Sequence, residues 1–134
     1  MNMSSMSMAQ KVAVGLGVFY VLIGILGFVP GITQATAIPG QGMLLGIFAV
    51  NLIHNIAHLL LGAILIVGGM SVANVGMTLK AMAVIFAVLV VGSFIAPIVE
   101  GVAINPADTI LHLASALLTG YFGFMAKPAT MRTA

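Results

Sequence analysis

Residues 48–69 read FAVNLIHNIAHLLLGAILIVGG, a run with no Asp, Glu, Lys or Arg but with two His and two Asn towards one end. At 1.5 Å per residue, about 20 helical residues cross about 30 Å of hydrocarbon. A helix on a soluble domain backs its apolar stripe with charged residues, and this segment has none. Its polar residues Asn51, His54, Asn55 and His58 recur at spacings of three and four, so they share one helical face, continued by the small Gly62. The segment therefore reads as a membrane-crossing helix with a polar face that has to be kept away from lipid.

Working outward, three further apolar stretches cover residues 12–29, 81–99 and 109–126. Each falls in or near the 17–25-residue window of a spanning helix, and none shows the strict alternation of a barrel strand. The expected spans are thus about 12–29, 48–69, 81–99 and 109–126 in a transmembrane domain over residues 11–126. A flexible Met/Ser-rich N-terminus (1–10) precedes it and a tail (127–134) follows, while residues 43–49 are expected at the interface or in a loop. Composition agrees: 62% of the 134 residues are hydrophobic and 4% charged, with a mean hydropathy of +1.28. Soluble domains carry about 25% charged residues and disordered chains are more polar still, so both classes are excluded. Four basic residues are too few for a nucleic-acid footprint, and the absence of Cys removes disulfides and thiolate chemistry. The fold class is an all-α, multi-pass, four-helix membrane bundle whose first partner is the lipid bilayer.

Charge sets the orientation. Lys11 precedes the first span, Lys80 lies between the second and third, and Lys127 and Arg132 follow the fourth. The loops at residues 30–42 and 100–107 contain no Lys or Arg. The positive-inside rule then places both termini in the cytoplasm. The first apolar stretch, residues 12–29, is longer than the usual core of a signal peptide, so an uncleaved span is expected.

Residues 50–69 align with 104–123 at an offset of 54, matching Asn51 with Asn105, Ile56 with Ile110, His58 with His112, Leu59 with Leu113 and Gly69 with Gly123. Asn and His are rare inside membrane helices, which gives these matches weight and suggests two repeated helical hairpins. In this alignment Asp108 takes the place of His54, and Asp108, His112, Ser115 and Thr119 form a second polar stripe. The two stripes are expected to face inward and towards each other. The first span adds Gly17, Tyr20, Gly24 and Gly27 on one face, where the glycines allow close helix packing. The third carries Gly92, Ser93, Ala96 and Pro97, a place for a kink.

The leading reading makes the stripes hydrogen-bonding glue in a non-enzymatic structural or accessory subunit. Such a subunit would pack against other membrane proteins or further copies of itself. No cofactor is required on that reading. The alternative makes His58, His112 and His54 axial ligands of a haem or (bacterio)chlorophyll, since neutral imidazole binds haem iron and bundles build cofactor sites between facing helices. A second alternative is a proton or ion pathway through Asp108, His112 and the second-span stripe. No metal site is assigned. His54 and His58 are spaced as in a zinc-protease helix, but Asn55 stands where the catalytic Glu would be. Met1, Met3, Met6 and Met8 could attract Cu(I), yet they also read as an ordinary terminus.

Taken in order, Phe28-Val29-Pro30-Gly31, Leu44-Leu45-Gly46-Ile47-Phe48, the run from Ile53 to Gly62, and Asn105-Pro106-Ala107-Asp108-Thr109-Ile110-Leu111-His112-Leu113 resemble the bacterial membrane family called domain of unknown function 4383. The resemblance covers about Lys11 to Ala126, with Thr109 a departure where Asn would be expected. It implies a four-helix membrane protein and brings no agreed activity.

Overall fold

The computed structural model describes residues 2–95 and 102–126. Four α-helices, α1 (Met8–Leu26), α2 (Leu52–Gly69), α3 (Val75–Phe94) and α4 (Pro106–Gly120), carry most of the chain. A π-helical segment, Tyr121–Met125, extends α4 directly. The helices α1, α2 and α3 are long and apolar enough to cross a membrane, as in an integral membrane protein. Large apolar side chains such as Leu22, Leu60, Val67, Val88, Ile110 and Leu117 point outward. Lys127, Arg132, Ala96, Pro97, Glu100 and Met1 lie outside the described residues.

The helix starts are written in the sequence. Ser7 accepts from the Gln10 backbone N–H at 3.2 Å and Gln10 Oε1 accepts from the Ser7 N–H at 3.1 Å, a reciprocal cap for α1. Consequently α1 starts at Met8 rather than near residue 12. Gln10 Nε2 then donates to the Gly69 carbonyl at 3.1 Å, satisfying an end group of α2 and fixing α1 and α2 as antiparallel neighbours. Their seam is built from glycine. A Cβ on Gly17 would lie 2.7 Å from the Gly62 carbonyl oxygen, and one on Gly62 would lie 2.6 Å from that of Gly17. Backbones approach this closely only where neither residue has a side chain. Gly24 lies against Leu59 and Gly27 against Asn55 along the same line. The helices α3 and α4 form the second close pair, and Gly123 abuts the α3 backbone at Lys80.

The all-α expectation needs correction. Residues 33–51 form an antiparallel three-stranded sheet, ordered β1 (Thr33–Ala35), β2 (Gln41–Leu44) and β3 (Phe48–Asn51). The expected second span, 48–69, therefore begins as a helix only at Leu52. The turn between β2 and β3 explains why: Leu45 and Gly46 both take positive φ (54° and 69°). Consecutive left-handed residues match strand twist and close a hairpin. Leu44 and Val50 are buried against the helices, while Leu45 and Ile47 at the turn are exposed. Thr33 Oγ1 donates to the Leu26 carbonyl at 2.9 Å, tying the sheet to the end of α1. Asn105 Nδ2 donates to the Ile47 carbonyl at 2.8 Å, tying it to the start of α4. The sheet thus lies over one end of the helices. Lys11 and Lys80, both exposed, lie at the other.

Candidate functional site

Beneath the sheet, the first turns of α2 and α4 carry the polar residues inward. Asn51 caps α2, its side chain accepting from the His54 N–H at 2.9 Å. Asn105 caps α4 in the same way, accepting from the Asp108 N–H at 3.2 Å, while Asp108 Oδ2 accepts from the Asn105 N–H at 3.0 Å. Pro106, with no N–H to lose, follows at the start of the helix. The caps fix where each helix begins and hence which way its polar face points. The backbones of α2 and α4 make little direct contact, and imidazole rings occupy the space between them.

Three imidazoles meet there. His54 and His58, one turn apart on α2, have ring centroids 4.2 Å apart, and His112 of α4 lies 5.9 Å from His58 and 6.4 Å from His54. All three residues are at most 4% exposed. One ring nitrogen from each falls within 4.8 Å of the others. His54 Nδ1 bonds the Ala103 carbonyl. A carbonyl can only accept, so Nδ1 carries the proton and, in the neutral ring, Nε2 is left with its lone pair. His54 Nε2 lies 2.8 Å from His58 Nε2, which must then be the donor. Asp108 Oδ1 stands 3.6 Å from His54 Nε2.

Aromatic rings close the site on its α1 and α3 sides. Tyr20 meets His58 edge-on at 5.1 Å and stacks on His112 at 6.5 Å, while Phe86 stacks on His112 at 6.0 Å. Ser115 Oγ donates to the Leu111 carbonyl at 2.9 Å, so Tyr20 Oη is the donor in its 2.9 Å bond to Ser115 Oγ. The site is fully enclosed, and its polar potential is not spent. Among the described residues, His58 Nδ1, His112 Nε2 and Asp108 Oδ1 are buried without a hydrogen-bond partner. Buried polar atoms are nearly always partnered, so three orphans in one cluster are unusual.

The structure does not join every residue of the two stripes. His54, His58, Asp108 and His112 converge, and Ser115 joins them through Tyr20. Asn51 serves as a helix cap. Asn55 turns to α1, where its side chain occupies the place a Cβ on Gly27 would take. Thr119 Oγ1 donates to the Ser115 carbonyl of its own helix at 2.7 Å. Sequence reasoning gave Tyr20 no role and missed Phe86 and the Ala103 carbonyl. A phenol in mid-span needs a hydrogen-bond partner, which was the available signal for Tyr20. The geometry also bears on the haem or (bacterio)chlorophyll alternative. The rings touch one another and Tyr20 and Phe86, so a flat macrocycle would have to part them to reach His58, His112 or His54. The arrangement can share a proton or surround a small ion.

The family model described as Domain of unknown function (DUF4383) matches residues 10–125, and the chain belongs to that family. Neither a curated protein nor a solved structure matches it.

Proposed function

We propose that this family member is a non-enzymatic, multi-pass protein of the bacterial cytoplasmic membrane, a structural or accessory subunit whose four helices form one bundle locked by the imidazole centre. The observation that carries the reading is the inverted distribution of polarity. His54, His58, Asp108, His112 and Ser115 are buried, while the outward surface of the same helices is apolar. In lipid there is no hydrophobic drive between helices, so close backbone packing and buried hydrogen bonds must supply cohesion. An uncharged outer surface suits packing against other membrane subunits or a further copy. Charge supports the topology of this reading: Lys11 and Lys80 share the end away from the sheet, which favours cytoplasmic termini and a sheet on the outside.

The test is a double-mutant cycle on metal-free protein in mild detergent. His58→Ala and His112→Ala should each destabilise the fold, and the pair should cost less than the sum by about 0.5–1.5 kcal/mol. Strict additivity would mean that the two imidazoles share nothing that holds α2 to α4, and would sink the reading.

A further inference from the structure

We propose that His54, His58, His112 and Asp108 form a binding site for one divalent transition cation of the zinc class, a clamp joining α2 to α4 inside the bundle. The donor set is the first argument. Three imidazole nitrogens and one carboxylate oxygen are ligands that zinc accepts, and four protein ligands with no open position describe a structural rather than a catalytic site. Separation is the second. Tetrahedral zinc with bonds of about 2.0–2.1 Å holds its ligand atoms about 3.3 Å apart. The His54–His58 nitrogens at 2.8 Å, the His54–Asp108 pair at 3.6 Å and the 4.8 Å limit for all three imidazoles bracket that value. Small rotations of the three imidazoles would bring them to it, with Asp108 entering from the His54 side.

The third argument comes from atoms that the protein's own hydrogen bonds leave over. His112 Nε2 and Asp108 Oδ1 are buried and unpartnered among the described residues, on the α4 side of the cluster. A cation between the helices would give both a partner. His54 is already set up as a ligand: its Nδ1 proton goes to the Ala103 carbonyl, which turns the Nε2 lone pair inward. Metal-bound histidines almost always donate their other ring N–H in this way, which fixes tautomer and orientation. On binding, the ion takes the place of the proton between His54 and His58, and His58 carries that proton on Nδ1 instead. The Asp108 carboxylate offsets half of the ion's charge, and its other oxygen keeps the α4 cap.

Zinc binding is tested on the full chain, purified through a histidine-free tag, stripped with EDTA and titrated with Zn²⁺ alone against a chromogenic chelator. One tight site per chain is expected, and Co²⁺ in its place should give the visible absorption of a tetrahedral nitrogen–oxygen site. His58→Gln and His112→Gln should each weaken binding by more than about 100-fold, because loss of a mere supporting hydrogen bond already costs 10–100-fold. A Met3→Leu/Met8→Leu variant should keep the tight site. Absence of a tight site in the wild-type chain would overturn the proposal, as would unchanged binding in both His→Gln variants. The wild-type Co²⁺ spectrum decides the matter if those variants fail to fold. The double-mutant cycle in EDTA stands apart: coupling without zinc binding leaves a core held by ring packing only, whereas zinc binding without coupling rejects that core and keeps the site.

Discussion

Gly62→Ala adds one methyl group at the tightest part of the α1–α2 seam, and its cost can be worked from the geometry. The new Cβ would lie 2.6 Å from the Gly17 carbonyl oxygen and 2.8 Å from the Val21 backbone nitrogen. Ordinary contact begins at 3.4 Å, so the helices must part locally by about 0.8 Å. Val21 Cγ2, at 2.7 Å, could rotate away, but these two obstructing atoms are backbone, so no side-chain rotation relieves the clash. A gap of 0.5–1 Å forfeits a quarter to a half of each close contact, worth about 0.1–0.2 kcal/mol per atom pair. Over some tens of pairs along the seam the loss is on the order of 1–3 kcal/mol, the usual range for overpacking. Gly15→Ala is the matched control, since nothing stands within 4 Å of its Cβ position. It should be neutral, or stabilising by up to about 1 kcal/mol through helix propensity. Reversible unfolding by SDS titration from mild detergent, followed by circular dichroism, measures both. A Gly62→Ala protein as stable as the wild type would refute the reasoning, because it would show that the seam yields freely.

Two further outcomes are expected. The chain has no native Cys, so single cysteines report topology cleanly: Ala37→Cys in the sheet-end loop should react with an impermeant thiol reagent added to intact cells, and Asn74→Cys at the opposite end should not, the reverse pattern rejecting the orientation. Asn105→Ala removes both the α4 cap and the bond to the Ile47 carbonyl and should cost about 1.5–3 kcal/mol in the same unfolding assay. Asn105→Ser, able to cap but too short to reach Ile47, should recover roughly half, and no recovery would mean that the cap contributes little.

Three apolar helices long enough to cross a membrane were legible because long uncharged apolar runs have few other physical solutions, and a His-Asn face within one of them has to turn inward; α4, of 15 residues, is shorter than the expected fourth span. The sheet was not legible: strands of three and four residues, the last of them running straight into an apolar span, leave no alternation long enough to read. Leu45 at positive φ adds to the difficulty, since nothing in a leucine announces a left-handed turn. Asn51 shows a different kind of miss. It was grouped with His54, Asn55 and His58 by spacing, yet an Asn immediately before an apolar run is also a helix-start signal, and the structure uses it as the cap. The convergence of His58 and His112 was implied by the 54-residue offset, but the bridging of α2 and α4 by side chains rather than backbone contact depends on how two helical pairs dock, which no local pattern encodes.

The seam and the centre answer the same physical problem in opposite ways. Between α1 and α2, glycine removes side chains so that backbones touch, which needs no polar group and tolerates no added atom. Between α2 and α4 the backbones stand apart, and the space is filled by rings whose nitrogens are costly to leave unpaired away from water. Apolar side chains of similar volume would fill that space without orphaned polar atoms, so packing alone does not account for His58, His112 and Asp108 being there. The sheet makes the contrast sharper. By tying the ends of α1 and α4 through Thr33 and Asn105, it already holds the sheet-end geometry with satisfied hydrogen bonds. A structure with glycine packing and a tied end has less need of a polar centre for cohesion alone. Unspent donor and acceptor capacity in a buried site is what a bound ion would use, and it is the feature of this chain from which a function beyond architecture can be sought.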